Sequence, residues 1–329
     1  MESKSGLKLL GFFNKSSVDL RKRLRLYLLS LVVVIFAVVV AFSVLFDVFS
    51  YDKPTATTLR AQNERFKHKL ESFFRGTAAQ GIQFSQQVTR TIEDTLAANN
   101  LSFNDVADNQ EIIALLEKNT YAALYSYFLI ADCSGAFIIF DTTVNTKLPN
   151  AKHSRSGMYI KAVNINTSKP VNPKVSLFRG IPEIGYDNDH VFSNKWELEF
   201  NTANVPFYRN VIRNASKDLT ACYYYSPAFK LPGTLETAML LCVPLVGKNG
   251  KVYGVCGFEI STLFFKLFHA EAGSPAERLT ELVAQETGGS VLLETRLESG
   301  TRQGYFAGLS DDVMSVSQMG ELNRYSVNG

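Results

Sequence analysis

Arg155 and Arg179 are the side chains of this sequence whose chemistry best suits a ligand. Arg155 lies in His153-Ser-Arg155-Ser-Gly157 and Arg179 in Phe178-Arg179-Gly180. A guanidinium offers a rigid fork of donors that matches a carboxylate or phosphate through two parallel bonds. The plain alternative for both is an arginine solvated on a loop. Trp196 is the only tryptophan; it could wall a pocket by stacking, or fill a core. Tyr223, Tyr224 and Tyr225 share one strand-like run, where alternation sends Tyr223 and Tyr225 to the same face. That face either lines a pocket or packs a sheet. Glu259 sits inside the apolar run Val252–Ile260. Burial of its carboxylate would require a partner, with Arg155 or Lys266 as candidates for an ion pair.

Catalytic chemistry finds little support. The histidines, His68, His153, His190 and His269, form no HExxH pattern and no ligand pair. GxSxG, the P-loop GxxxxGK[ST] and GxGxxG are all absent. Tyr186-Asp-Asn-Asp189 could approach a cation, but a solvated turn explains it more simply. Cys133, Cys222, Cys242 and Cys256 lie in apolar runs without a CxxC or a histidine pair. They read as small buried hydrophobes, although a disulfide among Cys222, Cys242 and Cys256 stays open. No catalytic residue, metal or cofactor is expected.

These side chains need elements to position them, and the N-terminus decides where those elements lie. Leu26 to Phe46 is uncharged and free of proline. At about 1.5 Å per residue, a helix of this length spans a hydrocarbon core of roughly 30 Å. Lys15, Arg21, Lys22, Arg23 and Arg25 precede it, and Asp47 and Asp52 follow. Basic flanks stay cytoplasmic. The sequence therefore predicts a single-pass cell-membrane protein with its N-terminus inside and its bulk extracytoplasmic. A cleaved signal peptide is disfavoured, because its apolar core would be about 7–15 residues with small residues at the cleavage site. The formal charge is +3; residues 1–25 hold seven cations against two acids, a net +5, which leaves −2 for the remainder. The exported part has no basic stripe for nucleic acid.

Thr55 to Asn99 reads as a long helix, with Phe66, Leu70, Phe73, Thr77, Phe84, Val88 and Leu96 at helical spacing. Gly76 and Gly81 mark a bend or a close contact. A shorter helix is expected from Phe103 or Asn104 to Asn119. Tyr125–Ile130 and Ala136–Asp141 read as a hairpin about Asp132-Cys-Ser-Gly135. Thr142 to Asn204 reads as a long irregular stretch, of the kind that covers a site. Ala238–Val246 and Val252–Ile260 form the clearest hairpin, about Asn249-Gly250, with Thr220–Ser226 beside it, giving an antiparallel sheet of about five strands. Thr262–His269 and Pro275–Glu286 read as helices, and Ser290–Thr295 as a strand opening a second unit that the remaining residues do not complete.

Together these features resemble the double Cache (dCache) sensor domains of bacterial transmembrane receptors. The matching residues are Tyr127-Phe-Leu-Ile-Ala-Asp132-Cys-Ser-Gly135, Gly157-Met-Tyr159-Ile-Lys-Ala162 and Cys242-Val-Pro244-Leu-Val-Gly-Lys-Asn-Gly250-Lys-Val-Tyr-Gly254-Val-Cys-Gly257-Phe-Glu-Ile-Ser261. The last carries the family's proline-containing strand, Gly turn and G-V-x-G-x-[DE]-I-S strand. The resemblance covers about residues 55–270, and 276–329 only as the start of a second module. In the amino-acid-binding branch an Arg and a Trp-Tyr pair hold the ligand carboxylate and a downstream Asp its amine. By resemblance Arg155 and Tyr159 fall near that pattern. Met158 stands at the tryptophan position, the spacing differs by one, and Lys230 stands where the Asp is expected. This departs from the usual amino-acid scheme and suits an anion.

The resulting expectation is an α+β protein: one N-terminal transmembrane helix, a long stalk helix, a PAS-like antiparallel-sheet module and the start of a smaller one. Its parts are a basic tail at 1–25, the span at 26–46, the membrane-distal module with its long helix at 52–272 and an apparently incomplete module at 273–329. A small molecule would bind between the sheet and Thr142–Asn204, touching Arg155, Tyr159, Arg179, Trp196, Tyr223 and Tyr225. The long helix would pass the signal on, as a homodimer, to an output domain beyond Gly329. A membrane-tethered extracytoplasmic hydrolase and a protein-binding scaffold are the alternatives.

Overall fold

The apolar stripe over residues 66–96 builds one uninterrupted helix. The computed structural model describes residues 22, 25, 27–42, 56–165, 173–203, 205–232, 236–269, 280–300, 313–319 and 322–327. In it, α1 spans Ala56–Ala98. Two compact units separate by contacts, 1–69 and 70–329. In the first, residues 27–42 are helical and exposed along their length, a rise of about 24 Å. Among the described residues no helix is long and apolar enough to cross a membrane. The rest of the apolar run, 26 and 43–46, lies outside the described residues.

In the second unit, α1 buries Phe73, Phe84, Val88, Ile92 and Leu96 at helical intervals. Gly81 marks a close contact rather than a bend: a Cβ there would stand 2.8 Å from Leu241 Cδ2 on the sheet. The next element corrects two expectations. A short 3₁₀ turn, Phe103–Val106, precedes α2, Gln110–Ile130. Tyr125–Ile130 is thus the end of a helix, not a strand. Ile113, Leu116, Thr120, Leu124 and Phe128 are buried along it. That 3.6-residue period overrides the β propensity of the aromatic run. Asn109 Oδ1 accepts from Ile112 N at 3.2 Å and caps its start.

The main sheet contains β1 (Gly135–Phe140), β2 (Ser154–Ala162), β3 (Val175–Arg179), β4 (Val191–Glu197), β5 (Glu199–Asn201), β6 (Tyr224–Tyr225), β7 (Phe229–Lys230), β8 (Thr237–Val246) and β9 (Val252–Ser261). Its order is β4-β3-β2-β1-β9-β8-β6, with β5 on β2 and β7 on β8. The sheet is larger than the five strands expected, because Thr142–Asn204 is not irregular. It supplies β2 to β5 and the short helix α3, Pro182–Asp187; its many polar residues hide strands covered on only part of their surface. The strand expected over Thr220–Ser226 shrinks to β6. The β8–β9 hairpin forms where expected, but its turn differs. Gly250 N donates to Gly247 O at 2.9 Å, and only Gly250 (φ 83°), not Asn249, has a positive φ. The connection is a longer loop that needs one left-handed residue rather than two. Helix α4, Pro206–Arg213, follows β5, and α5, Thr262–His269, follows β9.

A second sheet, β10 (Thr280–Thr287), β11 (Ser290–Gly300), β12 (Val313–Met319) and β13 (Leu322–Val327), runs as an antiparallel meander. The helix expected over Pro275–Glu286 is therefore a strand from Thr280 on; 275–279 lie outside the described residues. Gly288 and Gly289, at φ 60° and 77°, close a hairpin that sets Thr287 opposite Ser290. They turn one strand into the next rather than ending a helix. Leu297 of β11 joins Phe264 and Phe265 of α5 in a shared apolar cluster.

Candidate functional site

Both faces of the main sheet are covered, and strand alternation sorts the side chains between them. On β1, Ile138 and Phe140 join the core beneath α1 and α2. Phe137 and Ile139 turn the other way, to Phe207, Tyr208 and Val211 of α4 and Leu240 of β8. This second layer holds a cavity of about 110 Å³. Its sheet wall includes Phe137, Ile139, Tyr159 and Leu240; β3, β4 and β5 close it with Phe178, Arg179, Lys195 and Phe200. Asn201 and Thr202 add polar groups, and no His, Cys, Asp or Glu lines it. A concave apolar wall with a few polar groups is the usual form of a small-molecule site.

Tyr159 and Arg179 stand opposite each other across β2 and β3, and both line the cavity. Arg179 Nη1 donates to Phe178 O at 2.6 Å and to Lys195 O at 2.7 Å. Its Nη2 lies 3.1 Å from Glu197 Oε2. Its Nε is buried with no hydrogen-bond partner among the described residues. Burial lowers the Arg179 pKa, and Glu197 opposes that shift.

The other four predicted residues lie off this cavity. Arg155 Nε binds Asp141 Oδ1 at 2.7 Å, and its Nη1 reaches Ser154 O at 2.7 Å. Tyr208 OH donates to the same Asp141 oxygen at 2.9 Å. Arg155 lines a separate, more open hollow of about 420 Å³ with Thr142 and Lys152. Trp196 Nε1 donates to Gly180 O at 3.2 Å, and its ring meets Phe192 edge-on. Tyr225 OH donates to Phe74 O at 2.7 Å, with Tyr223 beside it at 6.2 Å between ring centres. The two rings meet, and Tyr225 lies on the α1 side. Lys230 is exposed, while its neighbours Phe229 and Leu231 line the cavity.

A buried polar network lies next to Tyr159. Its hydroxyl donates to Glu259 Oε2. Glu259 is fully buried, and Lys161 Nζ stands 2.9 Å from its Oε1. Lys161 also pairs with Glu236 and lies 5.4 Å from the centre of the Phe178 ring. Burial pushes the Glu259 carboxyl up to about 8 against the Ser134 hydrogen bond. Burial likewise lowers the Lys161 pKa, and Glu236 opposes it. The partner of Glu259 is thus Lys161, not Arg155 or Lys266. Lys161 and Glu259 flank each other across β2, β1 and β9, a pairing visible only once the register is known.

Glu117, on α2, is a second buried carboxyl, and nothing in its local sequence distinguishes it from a surface acid. Its Oε2 accepts from Ile181 N at 2.8 Å, two residues beyond Arg179. Burial is the largest cause of a pKa raised to about 8, opposed by backbone hydrogen bonds from Ile181 and Gly157. The four cysteines are free. Cys242 and Cys256 belong to cores on opposite faces of the sheet, which rules out a bond between them in this fold. Among the described residues no group of three or more His, Cys, Asp or Glu could hold a metal ion.

No family model and no curated protein matches the chain. Among solved structures, it matches the ligand-binding domain of the Campylobacter jejuni chemoreceptor Tlp3 in complex with L-norvaline: 12% identity, 77% of this chain, 86% of that one, TM-score 0.32. The Tlp3 sensory domain with isoleucine bound matches at 12% identity, 78% and 88% coverage and TM-score 0.30. A methyl-accepting chemotaxis protein X matches at 12% identity, 80% and 100% coverage and TM-score 0.26. Superpositions at these scores carry no residue from those domains onto this one, so its site rests on its own side chains.

Proposed function

We propose that this chain is the membrane-anchored, extracytoplasmic ligand-sensing part of a bacterial signal-transduction receptor. The main sheet with its long helix is the PAS-like, membrane-distal module over 52–272. The second sheet belongs to a smaller membrane-proximal module from 273, and 26–46 anchors the chain with 1–25 in the cytoplasm. A small molecule binds in the cavity between the sheet and β3–β5, held by Arg179 and Tyr159. The observation that carries this reading is the cavity: mostly apolar walls, and beside them a half-buried guanidinium whose Nε has no partner among the described residues.

Contacts also run from the cavity's cover to the long helix. Arg179 leads to Ile181, whose N–H is held by Glu117 on α2. Asn119, on the same helix, donates to Thr95 Oγ1 of α1 at 2.9 Å. A ligand that binds one arrangement of this cover better than another shifts the helices with it; a homodimer through α1 would carry the shift toward the membrane. The test is a thermal-shift and calorimetric screen of the full chain in nanodiscs against a panel of small metabolites. At least one compound should raise the melting temperature, and a cavity-filling Leu240→Trp variant that remains folded should lose that response. A panel with no hit, or a hit that survives the filled cavity, would count against the reading.

A further inference from the structure

Resting on the ligand-sensing reading above, we infer that the cavity takes an organic monocarboxylate with a short apolar body and no ammonium group. The charge of the lining decides this. Among the described residues its charged side chains are Arg179 and Lys195, and no carboxylate lines it. The acids nearby are already engaged. Glu197 is bound to Arg179 and mostly exposed. Glu259 accepts from Tyr159 and Ser134 and lies against Lys161. An ammonium brought into this cavity would lose its water and gain no free carboxylate, which is unfavourable for a buried charge.

A carboxylate meets the opposite situation. Arg179 spends Nη1 on two backbone carbonyls and Nη2 on Glu197, yet its Nε stays buried without an acceptor among the described residues. Buried donors are normally satisfied; Nε is closed off as the side chain stands, and a ligand oxygen would satisfy it by turning the guanidinium toward the cavity that Arg179 lines. Lys195 carries no ion pair among the described residues and adds a second positive charge at the same cavity. Size sets the rest of the molecule. An apolar cavity of about 150 Å³ holds benzene. Some 110 Å³ walled by Phe137, Ile139, Phe207 and Leu240 therefore suits an apolar body of about four to six carbons.

Three compounds with one isobutyl body separate the possibilities: 4-methylpentanoate, leucine, which adds the α-ammonium, and 3-methylbutylamine, which keeps only the amine. Calorimetry on the full chain in nanodiscs should show 4-methylpentanoate binding at least about tenfold more tightly than leucine, with no heat from the amine. Arg179→Ala should weaken 4-methylpentanoate at least about thirtyfold while its melting curve in the absence of ligand stays cooperative; Arg179→Lys should restore part of the loss. Leucine binding as tightly as 4-methylpentanoate, or an Arg179→Ala variant of unchanged affinity, would overturn the assignment. So would silence from all three compounds. In that last case a metabolite-panel hit abolished by Leu240→Trp would leave the sensor reading standing without its carboxylate, whereas a silent panel would remove both.

Discussion

Two arginines on adjacent strands, Arg155 and Arg179, show how similar sequence signals end in different roles. Arg155 is fully used by the fold. Asp141, the Ser154 carbonyl and Tyr208 surround it, and although burial pulls its pKa down, Tyr208 and Asp141 raise it overall. Arg179 is under-compensated: burial lowers its pKa, Glu197 recovers only part, and Nε is left over. A buried charge whose neighbours satisfy it holds structure together. A buried charge that they leave incomplete is available to something that arrives later.

The strongest test exchanges the two. Arg179→Ala should cost roughly 2–5 kcal/mol of affinity for the cavity's ligand, the usual loss when one partner of a buried charged contact is removed, with a smaller effect on stability. Arg155→Ala should do the reverse. It removes the cation from the half-buried Asp141 carboxylate, leaving the Tyr208 hydrogen bond, and should lower unfolding free energy by about 1.5–3 kcal/mol, the range for a hydrogen bond to a charged group, while affinity measured well below the melting transition barely moves. Chemical denaturation and calorimetry on both variants measure the four quantities. Equal losses of affinity in both would erase the distinction between the arginines.

Glu117 sharpens the comparison on the helix side of Arg179. Its folded pKa is raised to about 8 from an ordinary 4.5. Between those values the unfolded chain releases the proton and the folded chain keeps it, so this group's contribution to stability is full below about pH 4.5 and falls as pH rises to about 8. The slope from one such proton is about 1.4 kcal/mol per pH unit. Glu117→Gln keeps an acceptor for Ile181 N and removes the titration. The difference in stability between wild type and this variant should therefore change across pH 4.5–8 and be flat above it. Glu117→Leu leaves the Ile181 N–H buried without an acceptor, at about 1–3 kcal/mol. A difference that is flat across pH 5–8 would mean that the carboxyl is not held protonated.

How much of this was readable beforehand follows from the range of the interactions. α1 and the β8–β9 hairpin were legible because each is a local pattern: a 3.6-residue stripe in one, two apolar runs about a glycine turn in the other. Tyr125–Ile130 misled because a short apolar run satisfies either period, and only the preceding turns of α2, from Ile113 to Leu124, settle it. The helix expected before Gly288-Gly289 failed for a related reason, since the partner strand that turns Thr280–Thr287 into a ladder lies on the far side of those glycines. The length of Thr142–Asn204 suggests a segment that covers a site, but the residues lining the cavity beneath it are only partly legible in sequence. Arg179 and Tyr159 were legible as polar types. Lys195, Phe200 and Thr202 were not, because their convergence depends on β3 pairing parallel to β4 and β5 turning back onto β2. Glu117 and Lys161 look like ordinary surface charges until the fold buries them.

A smaller effect separates Trp196 from the cavity. Its ring packs outside the lining, and its one hydrogen bond ends on Gly180 O, the residue after Arg179. Trp196→Phe removes that bond and should cost about 0.5–1.5 kcal/mol of stability, with affinity reduced less than about threefold because Arg179 keeps its own ties to Phe178 and Lys195. An affinity loss as large as that of Arg179→Ala would place the indole in contact with the ligand.

The smallest effect tests the tyrosine pair. Tyr225 is held by Phe74 twice, through the bond to its carbonyl and through its ring at 5.1 Å. Tyr225→Phe keeps the ring contact and loses the bond, at about 0.5–1.5 kcal/mol of unfolding free energy. Tyr223 is 38% exposed, so Tyr223→Ala should stay within about 0.5 kcal/mol, as surface changes generally do. Neither should alter ligand affinity, because neither lines the cavity. The informative failure is an affinity change in Tyr225→Phe without a change in Tyr223→Ala. The Tyr225–Phe74 contact joins β6 to α1, and such a result would mean that the position of the long helix itself sets how well the cavity binds.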